Sequence, residues 1–400
     1  MAEQKITLSE MAMGLARNEF IYYYQPKISL VTGRTNGAEA LIRWARADGS
    51  IVPPMDFIPL AESTGFISEI SRAMFPKLLA DLLIINDIND ELTISFNLSA
   101  KDFNSPEMLN LIRSAILSHQ INPERLQVEL TEASIINSND AAVRENLQEL
   151  AKLGITLAMD DYGTGYSSIE SLSKWPFSIL KIDQGLIQRM AGSEKCTTIV
   201  QASIRMAHQL GIGTVAEGIE TSSIYDFLRH AGCTEAQGYW LARPMTLEDL
   251  VLFIRKDQRW SGLPIGLIHM AQLDHIHWRK TLIDQITSAS FGGNRNTEFC
   301  DINVEMEHHA CRLGLWYYGA GQEFRGRQSF DNLEEPHRVL HDIGKELLRA
   351  AKAGASREAV TDLLRKLTKQ SSVVLEMLQE LENEALMEPG AIIPDDFLKY

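Results

Sequence analysis

From residue 20 to about 245 short apolar runs alternate with longer amphipathic ones, and this alternation limits the fold more than any other feature of the chain. The runs "FIYYYQPKI", "GAEALIRW", "TISFNLS", "LQVELTE", "TLAMDDYG", "SILKID", "GTVAEGIE" and "EAQGYWLA" read as strands and their ends. Between them lie segments such as "PEMLNLIRSAILSHQ", "AAVRENLQELAKLG" and "TTIVQASIRMAHQLG", whose apolar residues recur at helical spacing and several of which stop at a glycine. About eight strands alternating with helices favour an α/β fold closed into a TIM-like (β/α)8 barrel of about 250 residues. An open doubly wound sheet is the alternative.

Most of these strands carry a polar residue at or near the end: Asn97, Glu129, Asp160, Asp161, Lys181, Asp183, Glu217 and Glu220. In a barrel the strand ends converge on one rim, where loops build the active site. Any one of these acids alone reads as a solvated or salt-bridged carboxylate, but a whole ring does not. Asp160 and Asp161 are adjacent, so each raises the cost of ionising the other. In a regular strand they would face opposite sides. For both to serve one site the strand must end or bulge there, and the glycines of "YGTG" make that feasible.

A formal charge of −15 argues against binding a nucleic-acid duplex through bulk electrostatics. No run approaches the roughly 18 apolar residues of a membrane span, and "MAEQKITLSEMAMG" has neither a basic n-region nor an apolar h-region, so a cytoplasmic location away from membranes is expected. The four cysteines, Cys196, Cys233, Cys300 and Cys311, read as thiols or metal ligands, with suggestive neighbours only around Cys311.

After "RPMTLEDLVLFIRKDQRW" the stretch "SGLPIGL" marks a boundary and the strand pattern stops. The reading is a barrel over 1–256, a linker over 257–268, a small all-α four-helix bundle over 269–385 and a tail over 386–400.

Nine stretches of the first region, in order, are "YQPKI" at 24–28, "EALIRW" at 39–44, "FIPLAESTGFI" at 57–67, "FNLSA" at 96–100, "ELTE" at 129–132, "DDYGTGYSS" at 160–168, "LKID" at 180–183, "AEGIE" at 216–220 and "QGY" at 237–239. Together they closely resemble the EAL domain family of cyclic di-GMP phosphodiesterases. The resemblance implies hydrolysis of cyclic di-GMP to linear pGpG with two Mg²⁺ or Mn²⁺ ions, and a homodimer. Two cations about 3.5–4 Å apart both activate water and offset charge on phosphoryl oxygens. Carboxylate and amide oxygens suit such hard ions.

Carried over by position, the resemblance implies that Glu39, Asn97, Glu129 and Asp160 ligate the first ion. Asp160 is then shared with Asp161 and Glu217 at the second. Lys181 would contact the attacking water and Glu217 would be the general base. Gln25, Arg43 and Gln237 would position substrate or ligands, and Asp183 and Glu220 would orient the lysine and its neighbours. Glu132 would hold the loop after "DD", which couples site and dimer. Tyr162 stands where the family usually has Phe, so a tuned loop is expected. For Trp44, Trp175, Phe57 and Phe66 core packing outweighs guanine stacking. The other functional class consistent with this fold is a non-catalytic cyclic di-GMP receptor, or a zinc sensor acting through protein contacts.

In the second region "EEPHRVLH" places His337 and His341 four apart, on one helix face. Alone such a pair is more often coincidence than a metal site. With "DHIHW" and "ACRLGLWYYG" upstream, the order H-x-x-W, C-x-x-G-x-W, H-x-x-x-H resembles the CZB zinc-binding bundle. The resemblance implies one Zn²⁺ on His275, Cys311, His337 and His341, a closed set without an open position. His277 competes for the first place. His308 and His309 read as exposed and Cys300 as a spare thiol. The bundle would regulate the barrel through zinc or oxidation of Cys311, or would simply be stapled by the metal.

Overall fold

The computed structural model describes residues 6–103, 106–118, 120–131, 141–164, 172, 174–262, 265–291 and 304–386. The chain forms two compact units, one from residues 1–228 and 233–262, the other from 229–232 and 263–400.

The first unit is a closed barrel. Its strands are β1 (Phe20–Ser29), β2 (Thr35–Ala45), β3 (Ile51–Val52), β4 (Thr93–Asn97), β5 (Leu126–Thr131), β6 (Thr156–Tyr162), β7 (Ile179–Ile182), β8 (Gly213–Ala216) and β9 (Glu235–Ala236). Eight close the ring in the order β1-β2-β4-β5-β6-β7-β8-β9, and β3 pairs outside it with the end of β2. A regular alternation would make every strand parallel, but β1 runs antiparallel to both β2 and β9. The reason is local. Ser29 and Arg34 close a tight turn, with Gly33 at φ 68°, so the first two strands form a hairpin with no helical crossover between them.

The period of two along the strands separates two environments. Tyr24, Phe96, Val128, Leu130 and Leu157 are buried in one cluster with Phe75, Leu78, Ile112 and Leu147 of the covering helices. The alternate positions Gln25, Lys27, Glu39, Ser95, Gln127, Glu129 and Lys181 are also buried, and they make the barrel interior unusually polar. Phe20, Trp44 and Phe57 form a second core, with Phe20 and Trp44 stacked at 5.5 Å. Trp44, Phe57 and Phe66 are therefore core residues.

In the second unit three long helices, Ile265–Phe291, Glu334–Lys352 and Arg357–Leu386, pack against one another, and the short helix Arg312–Tyr318 lies on the first. The first of them begins inside the stretch read as a linker. The unit is helical as expected, and among the described residues short helices accompany the three long ones. Residues 304–310 have no helix, and Cys311 is the N-cap of Arg312–Tyr318.

Candidate functional site

Strand register and the stagger of the barrel together place the barrel's polar residues at one level. Glu39 pairs with Ser95 and Gln25, Asn97 with Glu129, and Thr131 with Asp160. Glu217 follows β8 and its N–H donates to the Ile182 carbonyl, so it stands beside Lys181. Gln237 follows β9 in the same way, bonded through its N–H to the Ala216 carbonyl. The next residue must be glycine, because a Cβ on Gly238 would lie 2.2 Å from the Ile219 backbone nitrogen.

Lys181 is the centre of this level. Its ammonium lies 2.5 Å from Glu129 Oε2, 2.7 Å from Glu217 Oε1, 3.2 Å from Asp160 Oδ1 and 3.5 Å from Glu39 Oε2. Burial works against its charge, but the carboxylates of Asp160, Glu129, Glu217 and Glu39 outweigh that and hold its pKa well above the usual lysine value. One ammonium does not neutralise four acids. Burial, then Glu39 and Asp160, push Glu129 up to about 7 against the pull of Lys181. Glu217 is held far above the carboxylate range, first by burial and then by Asp160 and Glu39. Glu39 goes the other way: burial would raise it, but Lys181, Gln237 and Asn97 together lower it. Asn97 Nδ2 donates to Glu39 Oε1 at 2.9 Å, and Gln237 Nε2 donates to Glu39 Oε2 at 2.8 Å and to Gln25 Oε1 at 3.0 Å.

The paired aspartates sit on a bulge. Register passes from Met159 opposite Leu180 to Tyr162 opposite Ile182, one residue too many on β6. Asp161 takes up the excess at φ 59° and its N–H donates to Asp160 Oδ1 at 2.9 Å. The two side chains diverge: Asp160 is buried beside Lys181, whereas Asp161 is exposed. A cavity of about 320 Å³ is lined by Glu39, Asp160, Lys181, Glu217, Gln237 and Tyr239. A second of about 310 Å³, lined by Asn97, Ser99, Thr131 and Asp161, shares Asp160 and Arg43 with the first. Arg43 donates to the Ile42 carbonyl and lies 5.8 Å from the Tyr23 ring.

Asp183 and Glu220 do not hold the lysine as expected. Asp183 caps the helix Gln184–Arg189 by accepting from Leu186 N–H, and Glu220 accepts from Gln188 Nε2 at 2.9 Å. Lys181 is already enclosed by nearer carboxylates. Glu132 and residues 165–168 of the loop lie outside the described residues. Lys27 and Gln127, buried just beneath the ring, were missed by motif reading. The one local sign was a lysine two residues after Gln25 on the same face of β1, and its pairing with Gln127 has none.

The barrel residues fit divalent cations by their chemistry: an excess of buried carboxylate oxygens, with Glu129 Oε1 and Gln237 Oε1 buried and unpartnered. They are nonetheless spread around Lys181. Among the described residues the one group of three or more His, Cys, Asp or Glu donors within 4.8 Å of one another is in the helical unit, Cys311, His337 and His341.

That group is assembled by two elements. His337 and His341 stand one turn apart on Glu334–Lys352, and Cys311 Sγ lies 3.3 Å from His337 Nε2 and accepts from Gly314 N–H. His341 Nδ1 faces the Met306 carbonyl at 3.0 Å, leaving Nε2 for the site. Trp278 packs on His341 at 4.2 Å, where Gly344 leaves room. Burial pulls His275 down to about 4, His337 to about 3 and His341 to about 4, so all three imidazoles are neutral at pH 7. Burial also pushes the Cys311 thiol up to about 11, so metal capture must release its proton.

His275 is buried and lines the same cavity, but it stands outside the group of three, with Nε2 2.8 Å from Ser371 Oγ. His277 and His309 are exposed; His308 is half-buried, its ring 6.2 Å from His337. Cys300 lies outside the described residues.

The EAL domain model matches residues 8–244. The chemoreceptor zinc-binding domain model matches residues 275–348. The chain is 37% identical over 250 residues to the cyclic di-GMP phosphodiesterase PA2567 of Pseudomonas aeruginosa, covering 62% of this chain and 42% of that protein. It is 35% identical over 250 residues to the bifunctional diguanylate cyclase/cyclic di-GMP phosphodiesterase MucR of the same organism, covering 62% and 36%. The chain spans 30–36% of the length of the first three curated relatives it matches. Among solved structures, the PaMucR phosphodiesterase in complex with c-di-GMP aligns with a TM-score of 0.57 and 35% identity, over 61% of this chain and 98% of that one. Among the described residues no helix is long and apolar enough to cross a membrane.

Proposed function

The chain belongs to the EAL domain family, and from that premise we propose that its barrel hydrolyses one phosphodiester bond of cyclic di-GMP to give pGpG. The observation that carries this reading is the ring of Glu39, Glu129, Asp160 and Glu217, the first three buried, around the buried Lys181. Glu39, Asn97, Glu129 and Asp160 would hold one Mg²⁺ or Mn²⁺, and Asp160, Asp161 and Glu217 a second. When bound, such ions supply an activated water and offset charge on the phosphoryl oxygens.

The protein's own groups do the rest. Lys181, fixed by its carboxylates, aims a permanent positive charge at the reacting centre. Glu217 would act as general base from its ionised form, its carboxylate made more basic by burial and by the acids beside it, and would take up the proton that water gives up. Arg43, common to both cavities, presents a planar fork to phosphate, with Gln25 and Gln237 locking Glu39 in place. Glu132 controls the loop after Asp161 in a homodimer.

The helical unit, over 269–385 in the reading with barrel 1–256 and linker 257–268, takes one Zn²⁺. Cys311, His337 and His341 supply three ligands, and His275 completes the set by turning from Ser371. Zinc occupancy then modulates the phosphodiesterase of a cytoplasmic protein. The test is turnover of cyclic di-GMP to pGpG with Mg²⁺ or Mn²⁺, repeated across a zinc titration. Binding without pGpG overturns the enzyme reading in favour of a receptor; turnover indifferent to zinc leaves the metal a staple.

A further inference from the structure

Beneath the acid ring the barrel interior holds a second layer of buried polar side chains that the proposed chemistry does not use. Lys27 lies two residues along β1 from Gln25, pairs in register with Gly37, and is fully buried. Its ammonium crosses the interior to donate to Gln127 Oε1 at 2.9 Å. Gln127 in turn lies two residues before Glu129 on β5, and Ser95 is in register with both Gln127 and Glu39.

The layer is under-partnered in a specific way. An ammonium has three N–H donors. Lys27 has one acceptor, a neutral amide, and among the described residues it forms no ion pair. Gln127 Nε2, Ser95 Oγ and, one layer up, Glu129 Oε1 are likewise buried without partners. A charge buried without a counter-charge is expensive, so its retention calls for a compensating interaction. The nearest candidates are the acids above it, and its charge acts on both Glu39 and Glu129.

We infer that Lys27 is a positioning residue for the barrel's cation site: a fixed positive charge one layer down that offsets part of the ring's negative charge and so limits how tightly the ring holds divalent cations. This rests on the proposed metal-binding role of the ring. Lys181 contacts the ligands directly and shares them with any ion that enters. Lys27, held by Gln127, stays where it is in either case. It therefore sets a constant repulsion that keeps bound cations exchangeable.

The test uses the full chain with the zinc site filled and titrates Mn²⁺ at pH 8 by calorimetry and by loss of the free-ion electron paramagnetic resonance signal. Lys27→Met removes the charge at nearly constant volume. Gln127→Glu adds an isosteric carboxylate that pairs with the ammonium and cancels it, and so carries the test if Lys27→Met does not fold. Both are expected to bind Mn²⁺ more tightly, by roughly tenfold for a unit charge at this depth. A merely structural defect would loosen the ring and weaken binding, so the sign separates the two roles. Unchanged or weaker binding in the variants overturns the inference while the function stands. A wild-type barrel that takes up no Mn²⁺ overturns the metal reading and the inference with it.

Discussion

Lys181→Met offers the most direct test of the electrostatics of the barrel. In the absence of Mg²⁺ and Mn²⁺ the lysine is the nearest cation to four carboxylates, at 2.5–3.5 Å. Even with it present, Glu129 sits at about 7 against a usual value of 4.5. Burial and the neighbouring acids thus make ionised Glu129 destabilising, by about 3 kcal/mol at neutral pH and above. Removing one partner from a buried charge network typically costs about 3–5 kcal/mol. The sign with pH follows from the direction of the shifts. Acids whose folded pKa is raised hold protons that the unfolded chain has already lost, so their contribution worsens as pH rises from about 4.5 through the folded value. For Glu129 in the parent protein that window is 4.5 to about 7. In the variant the acids rise further, so the penalty should be smaller at pH 6 than at pH 8. Hydrogen exchange across β5–β7 reads this locally, and added Mg²⁺ should restore much of the loss at pH 8 without restoring turnover. A penalty under about 1 kcal/mol, or one equal at the two pH values, would refute the account of Lys181 as counter-charge to the ring.

Other perturbations bear on the remaining parts. Cys311→Ala and His341→Ala should each lower zinc content by metal analysis, whereas His277→Ala, on an exposed side chain, should not; unchanged content in the first two refutes the ligand assignment. Chelated protein should melt at lower temperature at pH 5 than at pH 7.5. His275, His337 and His341 have depressed folded pKa values, so their stability is present above about 6.5 and lost as pH falls towards 4 and 3; circular dichroism of the helical unit checks it. Gly238→Ala should destabilise the barrel by about 1–3 kcal/mol and cut turnover, because its Cβ must displace the Ile219 backbone and with it Gln237; a variant with parental turnover contradicts that geometry. Asp161→Asn should keep the bulge, since asparagine tolerates positive φ, while lowering divalent-cation affinity; parental affinity would remove Asp161 from the second cation's ligands.

What the sequence disclosed follows from which forces are periodic. Strands such as "LQVELTE" and "SILKID" were legible because an apolar outer face repeats every second residue, and the polar strand ends followed from that phase. The reversal of β1 was not, because a tight turn at Ser29–Arg34 looks much like any loop until its pairing is known. The need for a bulge at Asp160–Asp161 could be argued from two carboxylates and one site, and it falls there. The engagements of Asp183 with a helix cap and Glu220 with Gln188 were hidden, since motif position says nothing of which neighbour is nearer. Lys27 was hidden for the opposite reason. Its meaning depends on Gln127, 100 positions away, and no local pattern marks that pair. In the helical unit the H-x-x-x-H spacing gave two donors on one face, but the loop that brings Cys311 to them has no period at all.

The antiparallel seam has a consequence for how the protein is made. β1 finds β2 within a few residues, but its other edge stays unpaired until β9 arrives and Ile28 meets Ala236. Gln25 and Gln237, whose side chains meet across the mouth of that seam, are separated by 212 positions. On the ribosome, where domains emerge over many seconds, the ring therefore remains open, with an exposed edge, until nearly the whole barrel has been synthesised. Glu39 also waits, because one of the two amides that hold it arrives with the last strand. A nascent or truncated chain lacking β9 would thus carry most of the acids yet have no finished ring to act with, and closure of the seam is the moment at which the barrel becomes competent.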